Sequence, residues 1–271
     1  RLAAASGIRV VLSGHGADES LAGYHSYFDN LLVSLALRGR FPSLLGQATQ
    51  VAKMRGVQLS TVLLSCARAV RGTLLSTIPA YRRQALARRV LRYPDLSLLS
   101  ALVVPDTLLP SDVRLGPALR HAILHDPLPQ YLRVEDRNSM AHSIESRVPF
   151  LDHKLVEFGL RLPMEAQLWD GWNKRALRDA MRGQIPSSVV DRRVKFGFPT
   201  GVRQWFSAEF YHSVEHAIQD SAAITSGWFD LGAVKRVLRE HRTGVADHTQ
   251  TIFNLAQVRT WLDLDANGWR L

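Results

Sequence analysis

The chain has 271 residues, of which 46% are hydrophobic, and its formal net charge is +10. This length and hydrophobic content predict one large folded domain and exclude a disordered chain. The single cysteine, Cys66, excludes a disulfide framework and a cysteine zinc cluster and indicates a reducing compartment. No run approaches the roughly 20 apolar residues of a transmembrane helix, so we expect a cytoplasmic protein without a membrane span.

The first predicted element is a buried β-strand over residues 8–12, which ends at Ser13 and Gly14. Gly14 and Gly16 bracket a polar residue, His15, in the turn that follows. A small-residue turn after a strand is where α/β proteins commonly hold a nucleotide, because a ligand can approach the glycine backbone. The alternative interpretation is a simple connection whose glycines only turn the chain.

A helix is predicted over residues 18–38, with Asp18 near its start and Gly39 after its end. The start of a helix offers free N–H groups, and two carboxylates beside them, Asp18 and Glu19, could hold Mg²⁺ against phosphate oxygens. In the alternative interpretation, Asp18 only caps the helix. These residues alone leave both interpretations open.

A basic, helical insertion is predicted over residues 30–125. Between Asp29 and Asp95 the sequence has no acidic residue but many arginines. Its apolar residues favour packed amphipathic helices, and it lacks regularly interleaved aromatic residues, so nucleic acid is not an expected partner. Helices are predicted in residues 42–93, and short helices with turns in the proline-rich residues 94–130. The predicted breaks within residues 42–93 are at Pro42, Gly56, Gly72 and Pro79.

Five more helices are predicted toward the C-terminus. They are residues 134–146, a segment capped by Asp152 and stopped by Pro163, a segment capped by Asn173 and ended by Gly183, residues 230–242 and residues 248–264. Only residues 8–12 form a convincing strand. One strand and many helices predict the mostly helical side of an α/β fold whose other strands lie upstream of residue 1.

Three blocks of the sequence together resemble the synthetase domain of glutamine-hydrolysing asparagine synthetases. The first is residues 9–24; the second, residues 131–152, reads YLRVEDRNSMAHSIESRVPFLD; the third, residues 173–198, contains RRVKFGF. The resemblance implies the C-terminal portion of an α/β fold of the adenine-nucleotide α-hydrolase-like, or ATP pyrophosphatase, type. We therefore interpret residues 1–271 as a single, partial asparagine synthetase domain that contains residues 30–125 as an insertion.

Asparagine synthetases activate the side-chain carboxylate of aspartate with ATP and Mg²⁺, forming a β-aspartyl-adenylate, and ammonia derived from glutamine then displaces AMP. The resemblance implies that Ser13 and Gly14 contact the nucleotide and that Asp18 takes part in Mg²⁺–pyrophosphate binding. It adds Glu19, the neighbour of Asp18, to the catalytic candidates. It also implies that Lys195 reaches the α-phosphate, where negative charge develops.

His15 departs from the pattern of the family. Asparagine synthetases commonly carry a glutamate at this position, and related enzymes an aspartate. Histidine can act as a base near neutral pH, so His15 is a catalytic candidate, but it cannot supply the same negative charge. The sequence therefore leaves the acceptor amine undecided. It is ammonia, or another amine of the kind that lasso-peptide macrolactam cyclases and β-lactam synthetases use in the same adenylating chemistry. A structural histidine bonded to backbone is the alternative.

Several charged residues near the second and third blocks are expected to support the site rather than carry out chemistry. The predicted ion pairs are Arg137 with Glu145 and Arg147 with Asp152. Lys174 and Arg178, four residues apart on a predicted helix, are expected to neighbour phosphates or to form ion pairs.

Two parts of an asparagine synthetase do not occur in the sequence. The phosphate loop, Ser-Gly-Gly-x-Asp-Ser, is missing, and the only cysteine, Cys66, is not the N-terminal nucleophile of a glutaminase domain. We therefore expect this chain to be a part of a longer protein that binds aspartate and ATP. Alone it should be inactive, because it needs the N-terminal glutaminase domain and the half of the synthetase domain that carries the phosphate loop. A homodimer is one possible assembly. The alternative from another class is a non-catalytic module whose basic insertion docks a partner.

Overall fold

The computed structural model describes residues 1–76, 78, 81, 112–193, 215, 218 and 229–266. The chain divides into two compact units, the first comprising Arg1–Arg82 and Pro105–Lys195, the second Arg83–Val104 and Phe196–Leu271. The single domain over residues 1–271 stays a prediction. Across the described ranges, the helices are all too short or too polar to cross a bilayer.

The first unit is mostly helical and holds a small parallel sheet. Its described helices are α1 (Leu2–Ala5), α2 (Ala17–Ser20), α3 (Tyr27–Leu37), α4 (Phe41–Arg55), α5 (Leu59–Leu75), α6 (Leu115–Leu124), α7 (Leu128–Met140), α8 (His153–Arg161), α9 (Met164–Gln167), α10 (Arg175–Met181) and α11 (Ser187–Val190). Its described strands are β1 (Val10–Leu12) and β2 (Glu145–Arg147). An α/β class is therefore confirmed.

The sheet joins the first and second sequence blocks. Strand β1 pairs in parallel with β2, and Val11 lies opposite Ser146 in the register. The pairing is extended at both ends, because the Glu145 N–H donates to Arg9 O and the Ser13 N–H donates to Arg147 O, each at 2.8 Å. Parallel strands end at the same edge, so the turn after β1 and the chain after β2 leave the sheet side by side.

The prediction of a helix over residues 134–146 was wrong at both ends. Helix α7 begins at Leu128 and stops at Met140, and residues 145–147 form β2. The sequence Glu-Ser-Arg of β2 has no apolar alternation to mark a strand, and only its pairing with β1 makes it one. The strand at 8–12 is confirmed as β1 but is not buried as predicted, since Leu12 is 74% exposed.

The predicted helix over residues 18–38 is two helices. Helix α2 ends after Ser20, and α3 begins at Tyr27. Between them Ala22 adopts a φ of +55°, a left-handed conformation that interrupts a right-handed helix. Asp18 does not act as the cap of α2, because Gly16 holds that position and Asp18 lies inside the first turn.

The core of the first unit lies between α3, α4, α5 and α6. Phe28, Leu31, Leu35 and Leu119 are fully buried in it. Helix α5 continues through Gly72, so the predicted break there was wrong, whereas Gly56 ends α4 with a φ of +65°. The described part of the basic insertion, residues 30–125, therefore forms most of this core, and Met164 and Leu168 join it from later in the chain.

The helices predicted around the third block and in the second unit are present. Asp152 caps α8 by accepting from the N–H groups of Lys154 and Leu155, as predicted. In the second unit, α12 (Leu231–Arg242) is capped by Asp230 and packs with α13 (Thr249–Ala266). The buried side chains of this unit include Ile218, Phe229, Val234, Val237, Leu238, Ile252 and Leu255.

Candidate functional site

The turn after β1 is fixed on one side and open on the other. Gly16 has a φ of +90°, and a Cβ built there would lie 2.1 Å from Leu151 Cδ2, in the second block. A Cβ built at Gly14 meets nothing within 4 Å. The turn thus packs on the second block through Gly16, while the backbone at Gly14 faces open space that a ligand can approach.

One carboxylate, that of Glu135 on α7, joins three elements beside this turn. The Ser13 hydroxyl donates to Glu135 Oε2 at 3.1 Å, and the Ser146 hydroxyl of β2 donates to Glu135 Oε1 at 2.6 Å. The His15 Nε2 atom lies 2.8 Å from Glu135 Oε2. The ring of His15 is therefore bonded to a carboxylate, and not to backbone as the structural alternative supposed.

Asp18 forms a second polar pair near the turn, with Lys174 from the third block. Its Oδ1 atom is 3.1 Å from Lys174 Nζ, and both side chains are about a quarter exposed, at 25% and 24%. A Cβ at Gly23 would lie 1.9 Å from Asp18 Oδ1 and 2.3 Å from Lys174 Cε, so only glycine leaves room for this pair. The prediction that Lys174 forms an ion pair is confirmed.

The third block is held against the first through Asn173. Its side-chain amide donates to Gly23 O at 2.6 Å, so Asn173 does not cap α10 as predicted. The Arg178 guanidinium donates to Asn173 O at 2.8 Å, to Asn173 Oδ1 at 2.9 Å and to Val190 O. Burial lowers the pKa of Arg178 from its ordinary value. Arg178 therefore stabilises the framework on which Lys174 stands.

Two arginine guanidinium groups lie over the ring of Trp172, which directly precedes the third block. Arg178 lies 5.4 Å and Arg193 4.1 Å from the ring centroid, within the range of cation–π attraction. Lys195, the candidate for the α-phosphate, lies outside the described residues, so its role stays a prediction.

Glu19 is buried, with only 2% of its surface exposed. Its Oε1 atom accepts a hydrogen bond from the Tyr24 hydroxyl at 2.7 Å. Burial, followed by this hydrogen bond and the charge of Glu19, raises the pKa of Tyr24 above its ordinary value, so the hydroxyl stays protonated and able to donate. This position suits support of the turn between α2 and α3, and the catalytic role of Glu19 stays a prediction.

We expect the Tyr24→Phe substitution to lower the free energy of unfolding by about 1–3 kcal/mol, because it removes a donor from a buried carboxylate. Chemical denaturation of the two proteins measures this loss. Glu19→Gln is the matched control, since an amide oxygen still accepts from Tyr24. Unchanged stability with a large loss of activity in Tyr24→Phe would instead assign Glu19 to the chemistry.

The two ion pairs predicted behind the site are replaced by a different arrangement. Arg147 Nε lies 2.8 Å from Glu145 Oε1, two residues away on the same exposed strand, while Asp152 caps α8. Both predictions overlooked that residues two apart on a strand lie on the same face. This pair is on the surface and contributes little to stability.

The donor atoms suit Mg²⁺ bound together with phosphate. Mg²⁺ prefers carboxylate and phosphate oxygens and is commonly held by one or two carboxylates plus the substrate. Asp18 offers a carboxylate of this kind at the turn. Within the described ranges there is no cluster of three or more His, Cys, Asp or Glu that could hold a metal alone. The Asp18 carboxylate therefore fits a Mg²⁺ ion whose other ligands come from phosphate.

The family model described as Asparagine synthase matches residues 1–263 of the chain. This chain belongs to the asparagine synthase family. The resemblance inferred from the three sequence blocks is thereby confirmed, and the match extends over both compact units.

Relatives named asparagine synthetase support this assignment to the asparagine synthase family. Asparagine synthetase 1 of Bacillus subtilis is 27% identical over 261 residues, which cover 94% of this chain and 40% of the relative. A putative asparagine synthetase of Mycobacterium tuberculosis is 30% identical over 275 residues, 94% of this chain and 39% of the relative. The human asparagine synthetase is 34% identical over 93 residues, 32% of this chain and 16% of the relative.

The chain spans about 40% of the length of the bacterial relatives that it matches. No solved structure matches it. Sequence reasoning singled out Ser13, Gly14, His15 and Asp18 at and just after one turn, but it did not assign a role to Glu135. The Ser13–Glu135 hydrogen bond joins residues 122 positions apart, and no local spacing rule could have revealed it.

Proposed function

We propose that this chain takes part in the ATP-dependent conversion of aspartate to asparagine, with ammonia derived from glutamine as the nitrogen donor. The observation that carries the proposal is the polar turn after β1, where Asp18 pairs with Lys174 and Ser13 and His15 pair with Glu135, in a member of the asparagine synthase family. The proposal includes a fold of the ATP pyrophosphatase type.

The first proposed step forms an adenylate. An oxygen of the aspartate side-chain carboxylate attacks the α-phosphorus of ATP, the bond from that phosphorus to the bridging oxygen breaks, and pyrophosphate leaves with the electron pair. We assign Ser13 and the Gly14 backbone to nucleotide contact and Lys195 to the α-phosphate. Mg²⁺ held by Asp18 and phosphate oxygens would neutralise the charge that builds on the departing pyrophosphate.

The second proposed step forms the amide. The ammonia nitrogen attacks the acyl carbon of the adenylate, the bond from that carbon to the AMP oxygen breaks, and the nitrogen loses one proton to a base. We assign this base to His15, whose imidazole is held 2.8 Å from Glu135 beside the turn. A carboxylate needs no base to attack phosphorus, because it is already ionised, so His15 is needed only in this step.

The function is tested with the full-length gene product. Radiolabelled pyrophosphate should exchange into ATP only when aspartate is present, and glutamine or ammonium should then yield asparagine. Exchange that depends on another carboxylate would overturn the assignment of aspartate. Exchange with aspartate but without asparagine formation would favour another acceptor amine, as in macrolactam cyclases. Neither activity, despite a folded protein, would favour the non-catalytic binding module.

We expect His15→Ala to slow amide formation by about a hundredfold while it leaves aspartate-dependent pyrophosphate exchange nearly unchanged. The reason is that the base acts only after the adenylate has formed. Rates of exchange and of asparagine formation are measured on the same preparation. Equal losses in both rates would assign His15 to nucleotide binding or to the shape of the turn, and the role of base would be wrong.

A further inference from the structure

We infer that Glu135 is a positioning residue for His15, and that it supplies from α7 the negative charge that a histidine at position 15 lacks. This inference rests on the proposed function. The carboxylate of Glu135 lies 2.8 Å from the His15 ring, and the side chains are 23% and 38% exposed, respectively. At this distance the carboxylate attracts an imidazole that gains a proton.

Three residues from two elements, the turn after β1 and strand β2, hold the Glu135 carboxylate in place. One oxygen, Oε2, lies within hydrogen-bond distance of Ser13 in the turn and of His15, and the other, Oε1, accepts from Ser146 on β2. Ser13 and Ser146 are themselves fixed by the parallel pairing of β1 and β2. The carboxylate is thus oriented before any substrate binds, which is the condition for a precise supporting contact.

The contact determines which nitrogen of His15 can act as a base. An ionised carboxylate only accepts hydrogen bonds, so the 2.8 Å approach of Nε2 to Glu135 favours the tautomer of the neutral ring that carries its proton on Nε2. Nδ1 then carries the lone pair, and it receives the proton that the attacking amine loses. The imidazolium that forms is stabilised by the Glu135 charge, and Glu135 itself takes no proton.

The same contact explains how this site accommodates a histidine. The resemblance to asparagine synthetases implies a glutamate at this position, and a histidine there does not supply that negative charge. Glu135 places a carboxylate oxygen 2.8 Å from the ring, so the charge is present beside position 15 although the residue there is neutral. His15 and Glu135 together therefore offer both a base and a negative charge to the incoming amine.

The Glu135→Gln variant of the full-length gene product tests the inference, because glutamine keeps the shape but removes the charge. We expect amide formation to fall about ten- to a hundredfold, while aspartate-dependent pyrophosphate exchange changes less than about threefold. Glu135→Asp should recover part of the amide rate. Glu145→Gln, at an exposed carboxylate on β2, is the matched control and should leave both rates unchanged.

Nitrogen NMR of labelled histidine provides a readout that does not depend on activity. The neutral form of His15, whose signal is identified by its loss in His15→Gln, should carry its proton on Nε2, and in Glu135→Gln it should be a mixture of both tautomers. An unchanged tautomer, or equal losses of exchange and amide formation, would mean that Glu135 only connects the turn, α7 and β2. Either result would overturn the inference. Absence of both activities in the unsubstituted protein would overturn the proposed function, and the tautomer result would still stand.

Discussion

Replacing Asp18 by Asn in the full-length gene product should lower kcat for asparagine formation by about a hundred- to a thousandfold. The substitution removes the carboxylate proposed to hold Mg²⁺ at the departing pyrophosphate, where negative charge increases in the transition state. Pyrophosphate exchange should fall to the same extent, since adenylate formation is the affected step. Steady-state kinetics over a range of Mg²⁺ concentrations measure both rates.

The matched control for Asp18→Asn is Asp179→Asn. Asp179 also pairs with a cation, Arg175, at 3.8 Å, but its side chain is 62% exposed. We expect that variant to keep its activity, because exposed pairs of this kind contribute little. If Asp18→Asn lowered only the thermal stability and left kcat unchanged, Asp18 would be a structural partner of Lys174 and the assignment to Mg²⁺ would be wrong.

Replacing Gly16 by Ala should destabilise the first unit by about 2–5 kcal/mol. Two effects combine at this position. A side chain is strained at the φ of +90°, and its Cβ would lie 2.1 Å from Leu151 Cδ2 and 2.6 Å from Leu151 Cγ. Movement of Leu151 relieves part of the collision but displaces the turn that carries Ser13 and His15. Activity should therefore fall along with stability, as denaturant titrations and exchange assays would show.

Two other glycines separate these effects. Gly39 has a φ of +67° and open space around it, so Gly39→Ala should show the backbone strain alone, about 1–2 kcal/mol. Gly46 lies inside α4 with open space and an ordinary helical conformation, so Gly46→Ala should be neutral or slightly stabilising. If the Gly16→Ala protein were at least as stable as the Gly39→Ala protein, Leu151 would not constrain the turn.

Local sequence features were sufficient to predict the start of the site. An apolar run followed by small residues located β1 and the turn, and the capping residue Asp152 marked the start of α8. These features depend on neighbours within a few residues, which is why they can be read from a sequence. The family resemblance added a role for Asp18, and the structure added its partner Lys174.

Features that depend on distant contacts could not be predicted. The polar strand β2 is a strand only because β1 lies beside it, and the left-handed Ala22 breaks a stretch that its apolar residues favour as one helix. Glu135 looked like one of several charges on a helix, whereas its side chain reaches Ser13 and His15. In each case tertiary packing decided the outcome over local propensity.

The parallel pairing of β1 with β2 has a consequence for how the length of this protein can vary. The two strands bring Ser13 and Glu135 together across 122 positions of chain. Each doubling of a connecting segment adds only about 0.6 kcal/mol of closure entropy, because that entropy grows with the logarithm of length. Helices can therefore be gained or lost between the two strands while the distance between His15 and its carboxylate stays the same. The strand pairing therefore preserves the geometry of the site when the segment between β1 and β2 changes in length.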